Sequence, residues 1–305
     1  MEYIKKLKEK INGDLKKIVL PESNDERILQ ATKIIEENHL AEIILIGKDY
    51  LDPEKYDELD TLINKMVEIR KGKITALEAK ELLINDYMYF AVMLVACDKA
   101  DGVVSGAAHT TADTFRPALQ LLKTEEKASS FFIIDTPIKE DPFIFADCGL
   151  IQNPTSEELS IIAKESYESY KALIGNDPHI AMLSHSTIGS AKGELVDKVK
   201  DATDITKKKY KDIDIVGEIQ LDAALNKDIA KSKGIESGNA NILIFPNIDA
   251  GNIAYKLMQI FGNSKCYGPL IQGLKKPVNN LSRGFSVEDI VGSIIITVYQ
   301  AQKNC

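Results

Sequence analysis

With 305 residues, 44% of them hydrophobic and 28% charged, the chain is long enough for a large buried core and, as a prior, for two domains. Its net charge of −8 excludes a general binder of nucleic acid or membrane surfaces, because polyanions need a basic face. Small anions stay within reach, since a few arginines in a cleft suffice, and no run of about 18 apolar residues predicts a membrane span.

The N-terminal stretch, MEYIKKLKEKINGDLKK, is charged and periodic and lacks the apolar core of a secretory signal. Lys17 to Pro21 then reads as a short buried strand stopped by proline, Glu22 to Asp25 as a turn, and Glu26 to Glu37 as an amphipathic helix. Glu42 to Ile46 is a second strand, ending at Gly47. Tyr50 to Leu62 is polar and reads as a surface excursion. Ile74 to Ala79 opens a helix, Tyr87 to Ala96 follows, and Asp101 to Ser105 is a strand. This alternation predicts an α/β architecture with mainly parallel sheets. Four widely spaced cysteines (Cys97, Cys148, Cys266, Cys305), with no C-x-x-C, point to reduced thiols in a cytoplasm rather than a disulfide frame or a zinc site.

The segment Ser105 to Thr124 leaves a strand through Ser105-Gly106 and enters a helix near Thr114 or Pro117. Its loop carries His109, Thr110, Thr111, Asp113 and Arg116. Hydroxyls and an arginine at the carboxyl end of a strand suit a phosphate; a hydroxyl-rich cap beside a surface arginine explains the spacing equally well. His109 reads as a hydrogen-bonded structural residue, and no metal set surrounds it.

Phe131 to Asp135 and Phe143 to Asp147 read as two strands joined by a proline-bearing turn, and Thr155 to Leu173 as a long helix. Ile180 to Leu183 is a strand, followed by SHSTIGSAKG (Ser184 to Gly193), whose small residues suit an anion-binding nest. It lacks the P-loop spacing, and no G-x-G-x-x-G follows any strand. Ile213 to Ile219, Leu221 to Ala224, Ile242 to Pro246 and a loop over Asn247 to Asn252 continue the alternation, and Lys207 to Lys211 reads as a solvated helix end.

The densest chemistry lies in LSRGFSVEDI (Leu281 to Ile290). Gly284 marks a tight backbone. Ser286 and Asp289 have capping-box spacing, and Val287, Ile290, Val291, Ile294, Ile295 and Val298 give the following helix one apolar face. Asp289 is thus open to two readings: a cap residue, or a carboxylate fixed beside the cation Arg283.

Several segments together resemble the phosphate acetyltransferase (phosphotransacetylase) family. They are KIVLPESNDERIL (Lys17 to Leu29), DGVVSGAAHTTADTFRPALQ (Asp101 to Gln120), ADCGLIQNPTSEEL (Ala146 to Leu159), AMLSHSTIGSAKG (Ala181 to Gly193), GEIQLDAAL (Gly217 to Leu225), FPNIDAGNIAYKL (Phe245 to Leu257) and GPLIQGLKKPVNNLSRGFSVEDI (Gly268 to Ile290). They run in family order over nearly the whole chain. The resemblance implies two α/β domains with a cleft between them, residues 1–127 plus 281–305 and residues 128–280, and a cytoplasmic homodimer. It implies interconversion of acetyl-CoA plus inorganic phosphate with acetyl phosphate plus CoA in acetate metabolism, with no cofactor and no metal. Carried over by position, it makes Asp289 the base for the CoA thiol, Arg283 the phosphate ligand and Ser282 a donor to the reacting acyl group. It places Arg116 and Arg70 as further cleft cations, and Thr111 and Ser105 in the substrate site. Phe285 stands where the family often has cysteine, which implies no acyl-enzyme there; Cys97 stands at a usual glycine, and Tyr50 to Leu62 matches poorly.

The chemistry fits these residue types, since acyl transfer to a thiol needs a thiolate, cations on the phosphate and donors at the carbonyl oxygen. A free thiol titrates at about 8.5 and a free aspartate at about 3.9, so such a base starts about 6 kcal/mol uphill unless the site narrows the gap. The alternatives are a phosphate butyryltransferase, an isocitrate-dehydrogenase-like enzyme, and a non-catalytic two-lobed binding protein.

Overall fold

A computed structural model describes residues 2–11, 13–175, 177–281 and 284–303. Along the chain, α1 (Glu2–Lys10) precedes β1 (Lys17–Leu20), α2 (Glu26–Glu37) and β2 (Glu42–Leu45). A 3₁₀ turn (Pro53–Lys55) leads to α3 (Leu59–Ile69), α4 (Ala76–Asn85), α5 (Tyr87–Ala96), β3 (Gly102–Ser105) and α6 (Thr111–Leu121). Next come β4 (Ser129–Asp135), β5 (Phe143–Ala146), α7 (Ser156–Leu173), β6 (Ile180–Leu183), α8 (Glu194–Lys209) and β7 (Ile215–Ile219). Then follow α9 (Leu221–Leu225), α10 (Lys227–Ser232), β8 (Ile242–Ile244), α11 (Ile248–Ile260), β9 (Lys265–Gln272), β10 (Val278–Asn280) and α12 (Val287–Lys303). The chain is α/β, and its strand pairs are mainly parallel.

Two compact units result, Glu2–Glu125 with Leu274–Cys305, and Glu126–Gly273. In the first, the strands run β2-β1-β3-β10, all parallel. The return to this unit comes before Leu281, because Val278, Asn279 and Asn280 pair with Val103, Val104 and Ser105 of β3. Helix α12 packs on α2, α1 and the strands β1, β3 and β10, burying Ile290, Ile294, Ile295 and Val298 of its expected apolar stripe. Polar pairs lock it in place: the buried Asn279 amide donates to Thr297 Oγ1 (2.8 Å) and Gln300 Oε1 (2.6 Å).

Three local expectations need correction. The excursion over Tyr50 to Leu62 gives way to α3, because Leu59, Leu62, Ile63 and Met66 are spaced i, i+3, i+4, i+7 and all four are buried. Asn247 does not open a loop. Its side chain accepts from Ala250 N (3.0 Å) and caps α11, which starts at Ile248. Helix α6 starts at Thr111, ahead of the expected Thr114 or Pro117, because Thr110 and Asp113 form a capping box.

The second unit orders its strands β9-β4-β5-β8-β6-β7. Strand β4 is antiparallel to both β5 and β9, while β5, β8, β6 and β7 are parallel. Its core gathers Phe132, Phe143, Phe145, Leu243, Phe245 and Tyr255, with Phe132 stacked on Tyr255 at 4.0 Å between centroids. Helix α7 opens on a capping box formed by Thr155 and Glu158.

Candidate active site

In the first unit the chain leaves β1, β3 and β10 at the same edge, because the three strands are parallel. Ligands of open α/β sheets bind at that edge. The turn after β1 brings Glu22, the exit from β3 brings Ser105 to Thr110, and the exit from β10 brings Leu281.

The exits of β3 and β10 touch through backbone. Leu281 N donates to Ser105 O (2.8 Å). A Cβ on Gly106 would lie 2.7 Å from Asn280 Oδ1 and 2.8 Å from Leu281 N, and Gly106 has φ +116°, so only glycine fits. Asn280 donates from Nδ2 to Thr111 Oγ1 (3.2 Å) and to Leu281 O (2.8 Å). Ser105, Thr111 and the start of LSRGFSVEDI are thereby brought together, although Asn280 and Thr111 are 169 positions apart. Ser105 is fully buried, and its Oγ lies 3.5 Å from both Thr114 Oγ1 and His109 Nδ1. Ser282 and Arg283 lie outside the described residues.

Asp289 stands in the first turn of α12, half-buried. Its Oδ2 accepts from Ser286 N and Ser286 Oγ (both 2.9 Å), and Ser286 Oγ accepts from Asp289 N (3.2 Å). The capping box is therefore real, and it fixes the carboxylate at the helix start. Just before it, Phe285 is covered by a cation: the Arg27 guanidinium sits 4.1 Å from the ring centroid, and its Nη1 donates to Phe285 O (3.4 Å). Asp25 orients Arg27 through Nε (3.0 Å) and Nη2 (2.6 Å), and the guanidinium holds the Asp25 carboxyl below its usual range. Arg27 lies within PESNDER, yet nothing local in that motif points to Phe285.

Arg70 is the C-cap of α3, and Arg116 is exposed on α6, the helix that also carries Thr111. They share a neighbour. Burial pushes the Tyr89 hydroxyl up and Asp86 adds to this, while Arg116 and Arg70 act in the opposite direction; the hydroxyl itself donates to Gln120 Oε1 (3.0 Å). Burial pushes the Cys97 thiol up, Cys266 up to about 12, and Cys148 well above its ordinary value. These three side chains are not poised nucleophiles.

The loop after β6, expected to form an anion nest, is occupied from within the second unit. The buried Glu218 carboxylate accepts from Ser186 Oγ (3.1 Å) and Gly189 N (2.7 Å). Asp147 does the same for the chain after β5, accepting from Gly149 N (2.9 Å), Leu150 N (3.1 Å), Ile151 N (3.0 Å) and Ser130.

The profile described as Phosphate acetyl/butaryl transferase matches residues 2–298. The phosphate acetyltransferase of Acetivibrio thermocellus is 44% identical over 99% of both chains, and that of Bacillus subtilis is 42% identical over 97% of this chain and 98% of its own. The solved phosphotransacetylase of Streptococcus pyogenes superposes with a TM-score of 0.93 at 41% identity, covering 99% of this chain and 98% of its own. A 4-hydroxythreonine-4-phosphate dehydrogenase from Burkholderia phymatum shares the fold alone, at TM-score 0.52 and 11% identity. On a profile match over nearly its whole length and relatives at more than 40% identity, the chain belongs to the phosphate acetyl/butaryl transferase family of acyltransferases.

Proposed function

We propose that the chain catalyses the reversible transfer of an acetyl group between CoA and inorganic phosphate, by direct attack of the CoA thiolate on acetyl phosphate in a ternary complex. What supports it most is full-length similarity to proteins named phosphate acetyltransferase. In this reading Asp289 takes the thiol proton and Arg283 carries the phosphate charge. Ser282 donates to the acyl oxygen, Arg116 and Arg70 add positive charge, and Thr111 and Ser105 shape the floor of the site. The Ser105–Asn280–Thr111 cluster supports that grouping, since it joins the exits of β3 and β10. The substrates suffice without a redox cofactor or metal, because the chemistry moves only an acyl group and a proton. Acetyl rather than butyryl transfer follows the names of the curated relatives, and a cytoplasmic setting follows the four separated cysteines. Thioester should form from acetyl phosphate and CoA without added NAD, and faster than from butyryl phosphate. A rate favouring butyryl phosphate would move the assignment to the longer chain, and no thioester from either would remove it.

A homodimer completes the reading, and the second unit has a face suited to it. Tyr255 and Gly251 bury one side of α11, while Ile253, Leu257 and Ile260 stand outward, followed by Phe261 at 80% exposure. Four such side chains leave on the order of 500 Å² of apolar surface, the size of the largest patch on a typical monomer, which is often a functional surface. A twofold pair would bury about 1,000 Å² from them alone, the lower bound for a specific interface, which the flanking residues of the face would extend. Leu257→Lys combined with Phe261→Glu is expected to convert a dimer to a monomer in light scattering. A wild type that is monomeric at micromolar concentration would exclude the homodimer.

A further inference from the structure

Glu22, in the turn after β1, is 5% exposed, and its carboxylate meets an unusual number of donors. It accepts from the backbone N–H groups of Gly106 (3.0 Å), Ala107 (2.7 Å), Ala108 (2.6 Å) and His109 (2.8 Å), and from His109 Nδ1 (2.8 Å). Four successive N–H groups converging on one anion form a backbone nest, the device by which loops at strand ends hold phosphate. Here the anion belongs to the chain itself. A phosphate placed in this nest would meet the Glu22 charge at contact distance, so this loop is not the phosphate cradle. The carboxylate instead fixes the backbone that leads into α6, which carries Thr111 and Arg116. It also holds His109 at the loop rim, with its side chain 28% exposed.

We propose that Glu22 is a positioning residue for the acyl transfer, and that through it His109 presents an imidazolium charge to the anionic substrate at the start of α6. The inference rests on the acyltransfer reading above. The groups facing His109 are Glu22 from the β1–α2 turn, the Ser105 hydroxyl from β3, Asp86 at the start of α5 and Asp113 on α6. The hydrogen bond to Glu22 pushes His109 above the ordinary imidazole value against the effect of burial, and the charges of Glu22, Asp86 and Asp113 act with it. Burial pushes Glu22 up, but the bonds from His109 and from the Ala107, Ala108 and His109 N–H groups outweigh it and hold the carboxyl below its usual range.

The signs give a window. His109 is raised, so its stabilisation is complete below 6.5 and is lost as pH rises through its folded value. Glu22 is lowered, so its contribution is complete above 4.5 and is lost as pH falls through its folded value. Between 4.5 and 6.5 both charges are in place, and above that the first loss is the cation offered to substrate.

The test compares wild type with Glu22→Gln, Glu22→Asp and His109→Gln by imidazole NMR titration, by kcat/KM for acetyl phosphate against pH, and by melting curves. The resonance absent from His109→Gln is expected to titrate above 6.5 in wild type and to move acidward in Glu22→Gln, with the alkaline limb of kcat/KM following it. His109→Gln should lose that limb, and Glu22→Gln should lose roughly 10- to 100-fold in kcat/KM through misplacement of α6. Glu22→Asp, which keeps the charge, should recover part of both. If Glu22→Gln does not fold, Glu22→Asp and His109→Gln carry the same comparison. A wild-type alkaline limb in His109→Gln, or an imidazole titration unmoved by both Glu22 variants, overturns the proposal. A wild type forming no thioester at any pH would instead strike at the acyltransfer reading, while the titration still reports on the Glu22–His109 pair.

Discussion

Asp289→Asn is expected to fold, to bind CoA and to lose on the order of 10²–10⁴ in kcat, the usual worth of a positioned general base. The geometry makes this a demanding test, because Asp289 also caps α12. Its Oδ2 receives both the N–H and the hydroxyl of Ser286. A cap alone is worth about 1 kcal/mol of stability. Asparagine keeps an acceptor oxygen for Ser286, so the variant removes the carboxylate charge more completely than the cap. Ser286→Ala does the reverse: it deletes the hydroxyl that bonds Asp289 N and Oδ2 and leaves the carboxylate in place. Ser286→Ala should therefore lose about 1 kcal/mol in a denaturation curve and keep turnover within a few-fold. Equal, modest losses in both variants would leave Asp289 as a cap and move the base elsewhere.

The second large effect falls on the arginines. Arg283→Ala and Arg116→Ala should each raise KM for acetyl phosphate and for inorganic phosphate by roughly 10- to 150-fold, with less change for CoA. That range converts the 1.5–3 kcal/mol of a hydrogen bond to a charged group. Arg70→Ala should act in the same direction, since Arg70 and Arg116 both act on the Tyr89 hydroxyl. Lysine at position 116 should restore only part of the loss, because it supplies charge without the planar fork. Steady-state kinetics with wild-type KM for acetyl phosphate in the Arg283 and Arg116 variants would contradict the assignment.

Local features were the legible ones. The apolar stripe of α12, the capping box at Ser286 and the α/β alternation each depend on residues a few positions apart, where spacing dictates geometry. Helix α3 was hidden because the polar run from Tyr50 masked the stripe that begins at Leu59. Helix α11 was hidden because Asn247, Asp249 and Asn252 look like loop residues, while the first of them is a cap. The features that build the site are long-range. Glu22 binds N–H groups 84 to 87 positions away, and backbone donors leave no mark in side-chain spelling. Arg27 reaches Phe285 across 258 positions. The position of Phe285 suggested only that no thiol is needed there; its cover by a guanidinium follows from the packing of α2 against α12.

The most direct measurement is the exchange of labelled inorganic phosphate into acetyl phosphate, run with and without CoA. Direct thiolate attack in a ternary complex predicts exchange only when CoA is present, because phosphate can return to the acetyl group only from acetyl-CoA. Exchange without CoA would demand an acyl-enzyme, and no exchange with CoA present would mean that the chain does not move acetyl groups between thiol and phosphate.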